Sequence, residues 1–223
     1  MQNRDNISLE TQVQQANCAF CRHTAIASIL KETSAFLLVA DHAPLVEGHL
    51  LIIPKHHYAC YGAVPTKLDA ELNALKREVG QFMTRFYAPP IFWEHGVFRQ
   101  TVFHAHLHCI PFGASSYDLA TAIHSEVAHS QEDIRRWYAT RGHYFYLEDR
   151  QHALLFAPEV ERYTRIAREV LWQNVISHHQ GRAEWRTSQQ RYAEGPPLIA
   201  AMTDKWRLFQ ERGADDDNDT PHS

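Results

Sequence analysis

The chain has 223 residues, 44% hydrophobic and 22% charged, with a formal net charge of −4. This is the composition of a core-forming globular protein, and its mild acidity gives no general attraction for nucleic acid or an anionic membrane. No stretch approaches the roughly 20 apolar residues of a membrane span, and no basic start followed by an apolar run marks a signal peptide.

Residues 1–16 are polar and rich in Gln and Asn, which predicts a flexible arm. Cys18 and Cys21 follow, and Cys60 and Cys109 lie further on. Four unevenly spaced cysteines in a chain of this length do not make a disulfide framework, and a cytoplasmic protein is expected. The apolar run Ala35 to Ala40 predicts a buried strand, broken by Asp41-His42-Ala43-Pro44. After Gly48, His49 to Ile53 predicts a second strand, which Pro54 ends. From Thr66 to Tyr87 the residues Leu68, Leu72, Leu75, Val79, Phe82, Met83 and Phe86 recur at three- and four-residue steps, the period of an amphipathic helix. Thr66 and Asp69 resemble a capping box at its start. Two more strands are predicted at Ile91 to Glu94 and Thr101 to Pro111. The front half is therefore an α+β unit, an antiparallel sheet with a packed helix.

Beyond residue 112 the pattern weakens. A helix is predicted from Tyr117 to Ala128, and a strand pair from Tyr144 to Leu147 and Ala153 to Phe156, turning at Asp149-Arg150. Helices are predicted over Pro158 to Ile176 and Pro197 to Glu211. Residues 213–223 are acidic without apolar anchors and predict a disordered tail. The expected organisation is thus an arm (1–16), a domain (17–112), a mainly helical extension packed on it (113–212) and the tail.

The informative segment runs from Gln100 to Pro111, QTVFHAHLHCIP. In a strand His104, His106 and His108 share one face, while Phe103, Ala105, Leu107 and Cys109 line the other, against the helix. Three imidazoles suit a core face badly, because each carries two ring nitrogens that need partners. A solvated face is the bland explanation. A shared metal ion and a catalytic row are the two chemical ones, and the triplet alone does not separate them.

The segment resembles the signature of the histidine triad (HIT) superfamily, a His–apolar–His–apolar–His–apolar–apolar row. Gln100-Thr101-Val102-Phe103 is similar to the family's lead-in. Asp41-x-x-Pro44, Gly48-His49 and Ile53-Pro54-Lys55-His56-His57 resemble its upstream motifs in order and spacing, and Cys18-Ala19-Phe20-Cys21 resembles the Cys-x-x-Cys of zinc-containing members. The resemblance implies a HIT-like catalytic domain at 17–112 that uses no organic cofactor. Its nucleophile would be His106, attacking a nucleotide α-phosphate to give a nucleotidyl-histidine, for hydrolysis or transfer. It implies that His108 holds a phosphate oxygen, that Gln100 and Thr101 donate to the phosphate or leaving group, and that Asp41 accepts from the ribose. Phe36 and Leu38 belong either to the base pocket or to the plain core. A closed structural zinc site of Cys18, Cys21, His57 and His104 is implied, with His104 set beside the nucleophile and His56 as a rival ligand.

Departures cluster around the substrate. Arg99 stands where Gly is common, Glu47 where Pro often precedes Gly-His, and Phe112 where Arg is common. Glu94-His95-Gly96 takes the place of an Asn-x-Gly, which puts His95 among the substrate-binding candidates. A nucleotide is the expected partner, with no nucleic acid or membrane, and small members imply a homodimer. The extension reads as a lid or supporting layer, although Arg182, Arg186 and Arg191 are within a phosphate's chemistry. A metal-dependent hydrolase and a non-catalytic nucleotide-binding module are the competing classes.

Overall fold

A computed structural model describes residues 18–22, 26–113, 125–161, 164, 167, 171 and 186–218. Eight strands form one antiparallel sheet: β1 (Ile29–Glu32), β2 (Phe36–Ala40), β3 (Leu50–Pro54), β4 (Pro90–Glu94), β5 (Leu107–Pro111), β6 (Ser125–Val127), β7 (Phe145–Glu148) and β8 (Ala153–Phe156). Their order is β1-β2-β3-β5-β4-β7-β8-β6. The α-helices whose bounds are given by the described residues are α1 (Asp69–Phe86), α2 (Gln131–Arg141) and α3 (Ser188–Asn218). Among the described residues no helix is long and apolar enough to cross a membrane.

The helical period of the sequence is realised in α1. Leu72, Leu75, Val79, Phe82 and Met83 are buried, each worth about 1.5–3 kcal/mol of burial. They meet the β2, β3 and β5 side chains Phe36, Leu38, Leu50, Ile52, Leu107 and Cys109 in one core. The predicted capping box does not form. Thr66 lies in a 3-10 turn, Leu68 is the N-cap without a side-chain bond, and the Asp69 carboxylate instead takes Arg135 of α2 at 3.0 and 2.6 Å. A charge-assisted fork outcompetes a single amide.

The period-two alternation buries the second face as well. Leu37, Val39, Leu51 and Ile53 pack under Phe20 and Ile26, and Ile91, Trp93, Ile110, Phe145 and Leu147 pack with Leu45, Val46 and Leu171. This face, away from α1, carries the site.

The segment after residue 112 continues the same sheet. β7 pairs with β4 (Trp93↔Leu147), β8 with β7, and β6 with β8. The predicted hairpin forms, with Asp149 Oδ1 accepting the Gln151 and His152 amides at 2.7 Å each. Of the helix predicted at Tyr117 to Ala128, residues 125–127 are a strand, drawn into the sheet by ladder bonds to β8; residues 117–124 lie outside the described residues, as do most of 158–176. Starting at Ser188 rather than near Pro197, α3 carries Pro196 and Pro197 inside it. It runs on to Asn218, into the acidic segment predicted to be disordered, because each added residue extends a helix already nucleated and packed. Met202 and Trp206 of α3 are buried against the α1 core, with Trp206 edge-on to Phe82 at 5.0 Å and donating to the Leu30 carbonyl.

Candidate active site

The histidine row is not a strand throughout. Only its second half, β5, pairs with neighbours, through Ile52↔Leu107, Leu51↔His108 and Trp93↔His108. Residues 101–104 bend, with the His104 amide bonded to the Val102 carbonyl and the Ala105 amide to that of Tyr58. β3 ends at Pro54, so residues 101–106 have no strand to pair with. One expectation is corrected: Phe103 is 68% exposed rather than packed on the helix. Ala105, Leu107 and Cys109 are buried as predicted.

Each imidazole is held by a different partner, and the bonds dictate which nitrogen carries the proton. His106 Nδ1 lies 2.7 Å from the His104 carbonyl oxygen, an acceptor only. Nδ1 therefore bears the hydrogen, and Nε2 is left with a free lone pair. Next to it, His108 is 5.0 Å away between ring centres. The Leu45 amide donates to His49 Nδ1 at 3.2 Å, so neutral His49 is protonated at Nε2. That nitrogen sits 3.0 Å from His108 Nδ1 and donates to it. His108 must then carry its proton on Nε2. The result is a lone pair on one ring beside an N–H donor on the next.

His49 is placed by Gly48, which has φ +90 and lies so close to Pro111 and Tyr87 that a Cβ would fall 2.9 Å from Pro111 Cγ. Asp41 Oδ1 accepts the Ala43 amide at 2.8 Å, and Oδ2 lies 3.7 Å from His49 Nε2 and 3.9 Å from His108 Nδ1.

Burial sets the charges. It lowers the pKa of His49 and of His95 to about 4, lowers His106, and takes His108 well below the ordinary value, with its histidine neighbours adding to the effect. All four are neutral near pH 7. Burial works to raise Asp41, but His49, the Ala43 amide, His42 and Arg191 outweigh it and hold the carboxylate below its usual range. Since His49 is itself neutral above about pH 4, the amide and Arg191 carry this effect near neutrality.

The groups bound a cavity of about 370 Å³ lined by Asp41, His49, His95, Gln100, Thr101, His106 and His108 among others. Gln100 Nε2 donates to the Ala59 carbonyl at 3.2 Å, while its buried Oε1 is without a hydrogen-bond partner among the described residues. Phe36 and Leu38 do not line it. Both are wholly buried in the α1 core, because alternation along β2 sends them to the helix face. Among the lining residues that the sequence did not assign to the site are His49 and Arg191. His49 was legible in the Gly48-His49 pair, whereas Arg191 was one of several arginines with no distinguishing spacing.

His104 belongs to a second cluster. The ligand atoms of Cys18, Cys21, His57 and His104 lie within 4.8 Å of one another. His104 Nδ1 is 3.4 Å from Cys18 Sγ and 3.5 Å from Cys21 Sγ, and Cys21 Sγ is 3.3 Å from His57 Nδ1. A tetrahedral zinc with ordinary bond lengths has S···N edges of about 3.6 Å, so the donor set fits. His104 Nε2 donates to the Pro54 carbonyl at 2.7 Å, which leaves Nδ1 as the ligating nitrogen. His56 instead lies against Tyr58, its ring centre 5.1 Å away and tilted by 60°. Without a cation, burial and the Cys18 thiol push Cys21 up to about 12. Asp41, His49 and His108 also approach one another, but the His49 Nε2 proton occupies the position a metal would need. The row thus does not converge on a single ion: His104 joins the cysteines, His108 joins His49, and His106 stands in neither group.

A family model described as "Protein similar to CwfJ C-terminal" matches residues 5–125. Adenylylsulfatase HINT3 of Arabidopsis thaliana is 29% identical over 114 residues, 46% of this chain and 56% of that protein, so the chain spans little more than half of it. An uncharacterized HIT-like protein of Mycobacterium tuberculosis is 31% identical over 98 residues, 42% of this chain and 68% of its own length. Among solved structures, a zinc-bound histidine triad family protein from Mycobacterium smegmatis is 25% identical with a TM-score of 0.38, covering 55% of this chain and 90% of that one. On the family model over residues 5–125 and the Mycobacterium tuberculosis relative covered over 68% of its length, the chain belongs to the histidine triad superfamily.

Proposed function

We propose that the chain is a nucleotidyl hydrolase or transferase in which His106 Nε2 attacks the α-phosphate of a nucleotide. A bond forms between Nε2 and phosphorus while the bond from phosphorus to the leaving group breaks, and the leaving group departs with the electron pair. Water or another acceptor then displaces His106 and regenerates the free imidazole. The observation that carries this reading is the 2.7 Å bond from His106 Nδ1 to the His104 carbonyl, which leaves Nε2 unprotonated on a ring that lines the cavity. His108 Nε2–H, fixed through His49, is the donor for a non-bridging oxygen, where charge develops. Asp41 accepts from the ribose, Gln100 and Thr101 serve the phosphate, and His95 lines the nucleotide's space.

Cys18, Cys21, His57 and His104 would hold a structural zinc ion, which draws off the thiol protons and locks His104. The His104 carbonyl is what orients His106, so the cluster also supports the nucleophile. The HINT3 relative is named for adenylylsulfate, a nucleotide anhydride of the class this chemistry cleaves.

The test is turnover of adenylylsulfate, diadenosine polyphosphate and adenosine phosphoramidate by the wild type and His106→Ala. Wild-type cleavage of at least one, reduced about a thousandfold or more in the variant, is expected. Undiminished turnover by His106→Ala contradicts the reading.

A further inference from the structure

The helix α3 is built onto the nucleotide cavity rather than beside it. Arg191 Nη1 donates to the Ala43 carbonyl at 2.7 Å, and Nη2 to Ser188 Oγ at 3.1 Å. One turn on, Gly195 lies so close to the same loop that a Cβ would stand 3.0 Å from Pro44 Cδ and 3.1 Å from the His42 carbonyl. Tyr192 meets the His42 ring at 5.8 Å. Farther along, Lys205 reaches Glu47 at 2.7 Å, and Tyr87 donates to the same oxygen at 2.9 Å. The loop carrying Asp41 and His49 is therefore clasped along its length by α3, and Glu47, the residue that departs from the family's usual Pro, is one of the anchors.

This docking delivers a guanidinium to the cavity wall. Apart from its histidines, the described residues lining the cavity bear one negative charge, Asp41, and two positive ones, Arg99 and Arg191. The phosphate attacked by His106 already has the His108, Gln100 and Thr101 donors. Arg191, held by its bonds to Ala43 and Ser188, adds a fixed, permanent cation that attracts phosphate or sulfate oxygens.

Resting on the nucleotidyl-transfer reading above, we propose that Arg191 is a specificity-determining residue that binds a second acidic group of the nucleotide, so that doubly acidic nucleotides are selected over nucleoside monophosphates. The second group sits either farther along the phosphate chain or on the ribose. Both present the same oxyanion chemistry, and the assay distinguishes them.

The experiment measures the affinity of the wild type, Arg191→Gln and Arg191→Lys for AMP, ADP and adenosine 3′,5′-bisphosphate by calorimetry, with thermal melting to establish that each variant is folded. Arg191→Gln removes the charge, and Arg191→Lys keeps it. In the wild type, one of the two doubly phosphorylated ligands is expected to bind about tenfold or more tighter than AMP. That preference is lost in Arg191→Gln and largely kept in Arg191→Lys. Loss for ADP places the second group on the phosphate chain, and loss for the bisphosphate places it on the ribose. A wild type without preference, or a preference unchanged within twofold in Arg191→Gln, overturns the proposal. Because affinity needs no turnover, a failed His106 reaction with an intact preference is told apart from a failed Arg191 role. A protein that binds none of the three overturns both.

Discussion

At the scale of single residues, the site is a set of proton assignments. The Leu45 amide fixes His49, His49 fixes His108, and the His104 carbonyl fixes His106. His49→Phe removes the donor to His108 Nδ1 and lets that ring change tautomer. Its expected cost is about 10- to 100-fold in kcat, with a smaller change in KM, as for other residues that orient a working ligand; unchanged kcat in steady-state assays would show the relay to be idle. Burial lowers the His106 pKa, so the acid limb of kcat/KM should fall at a pH below the ordinary imidazole value near 6.5, whereas a limb centred above 6.5 contradicts this. Stability follows the same logic. His49 and His95 stay neutral down to about 4 when folded, but ionise near 6.5 when unfolded. The unfolded state thus binds more protons between those values, and the stabilisation present above pH 6.5 is lost as pH falls towards 4. Glu94, raised to about 7 by burial, acts in the opposite sense between about 7 and 4.5, but one carboxyl is outweighed by five lowered imidazoles, those of His49, His57, His95, His106 and His108. The melting temperature should therefore decline from pH 6.5 to 4, and a flat profile would refute the balance. The residue types at 104, 106 and 108 were readable from spacing. Their separation into a metal set and a phosphate-facing pair was implied by the family resemblance rather than by spacing, since it depends on where β3 ends.

Among the elements, the buried bridge between the 61–63 turn and β4 is the most exposed to test. Glu94 takes the Tyr61 amide at 2.7 Å and the Tyr144 hydroxyl at 2.5 Å, and the same hydroxyl accepts the Gly62 amide at 2.8 Å. Tyr144→Phe strands a buried amide and a buried carboxyl oxygen, at about 2–4 kcal/mol. For a chain of this size the melting temperature should drop by about 5–10 °C, and a drop under 2 °C in calorimetry would show that water replaces the hydroxyl at no cost. The zinc cluster ties the 18–21 turn to the segments holding His57 and His104. Elemental analysis should find about one zinc per chain, lost in Cys21→Ser; a metal-free, folded wild type would remove zinc from the account. Helix α1 was legible because seven apolar residues keep one period. By contrast, β6 was not, because its three residues are too short to show alternation and take their conformation from β8.

In the molecule as a whole, the sheet crosses the boundary predicted near residue 112, and α3 returns over the cavity. The return was hidden because Pro196-Pro197 reads as a helix start, while Arg191 and Gly195, which meet the 42–47 loop, both lie before it. Gly195→Val should lever α3 from Pro44 at an overpacking cost of about 1–3 kcal/mol, weakening AMP binding severalfold while the sheet stays folded; unchanged affinity would mean that α3 is not part of the cavity. The central claim is covalent. Protein mixed with a cleavable adenine nucleotide, quenched within milliseconds at alkaline pH and mapped by mass spectrometry, should carry one acid-labile adenylyl group on His106, absent from His106→Ala. Rapid cleavage with no adduct at any time, or an adduct on another residue, would contradict it.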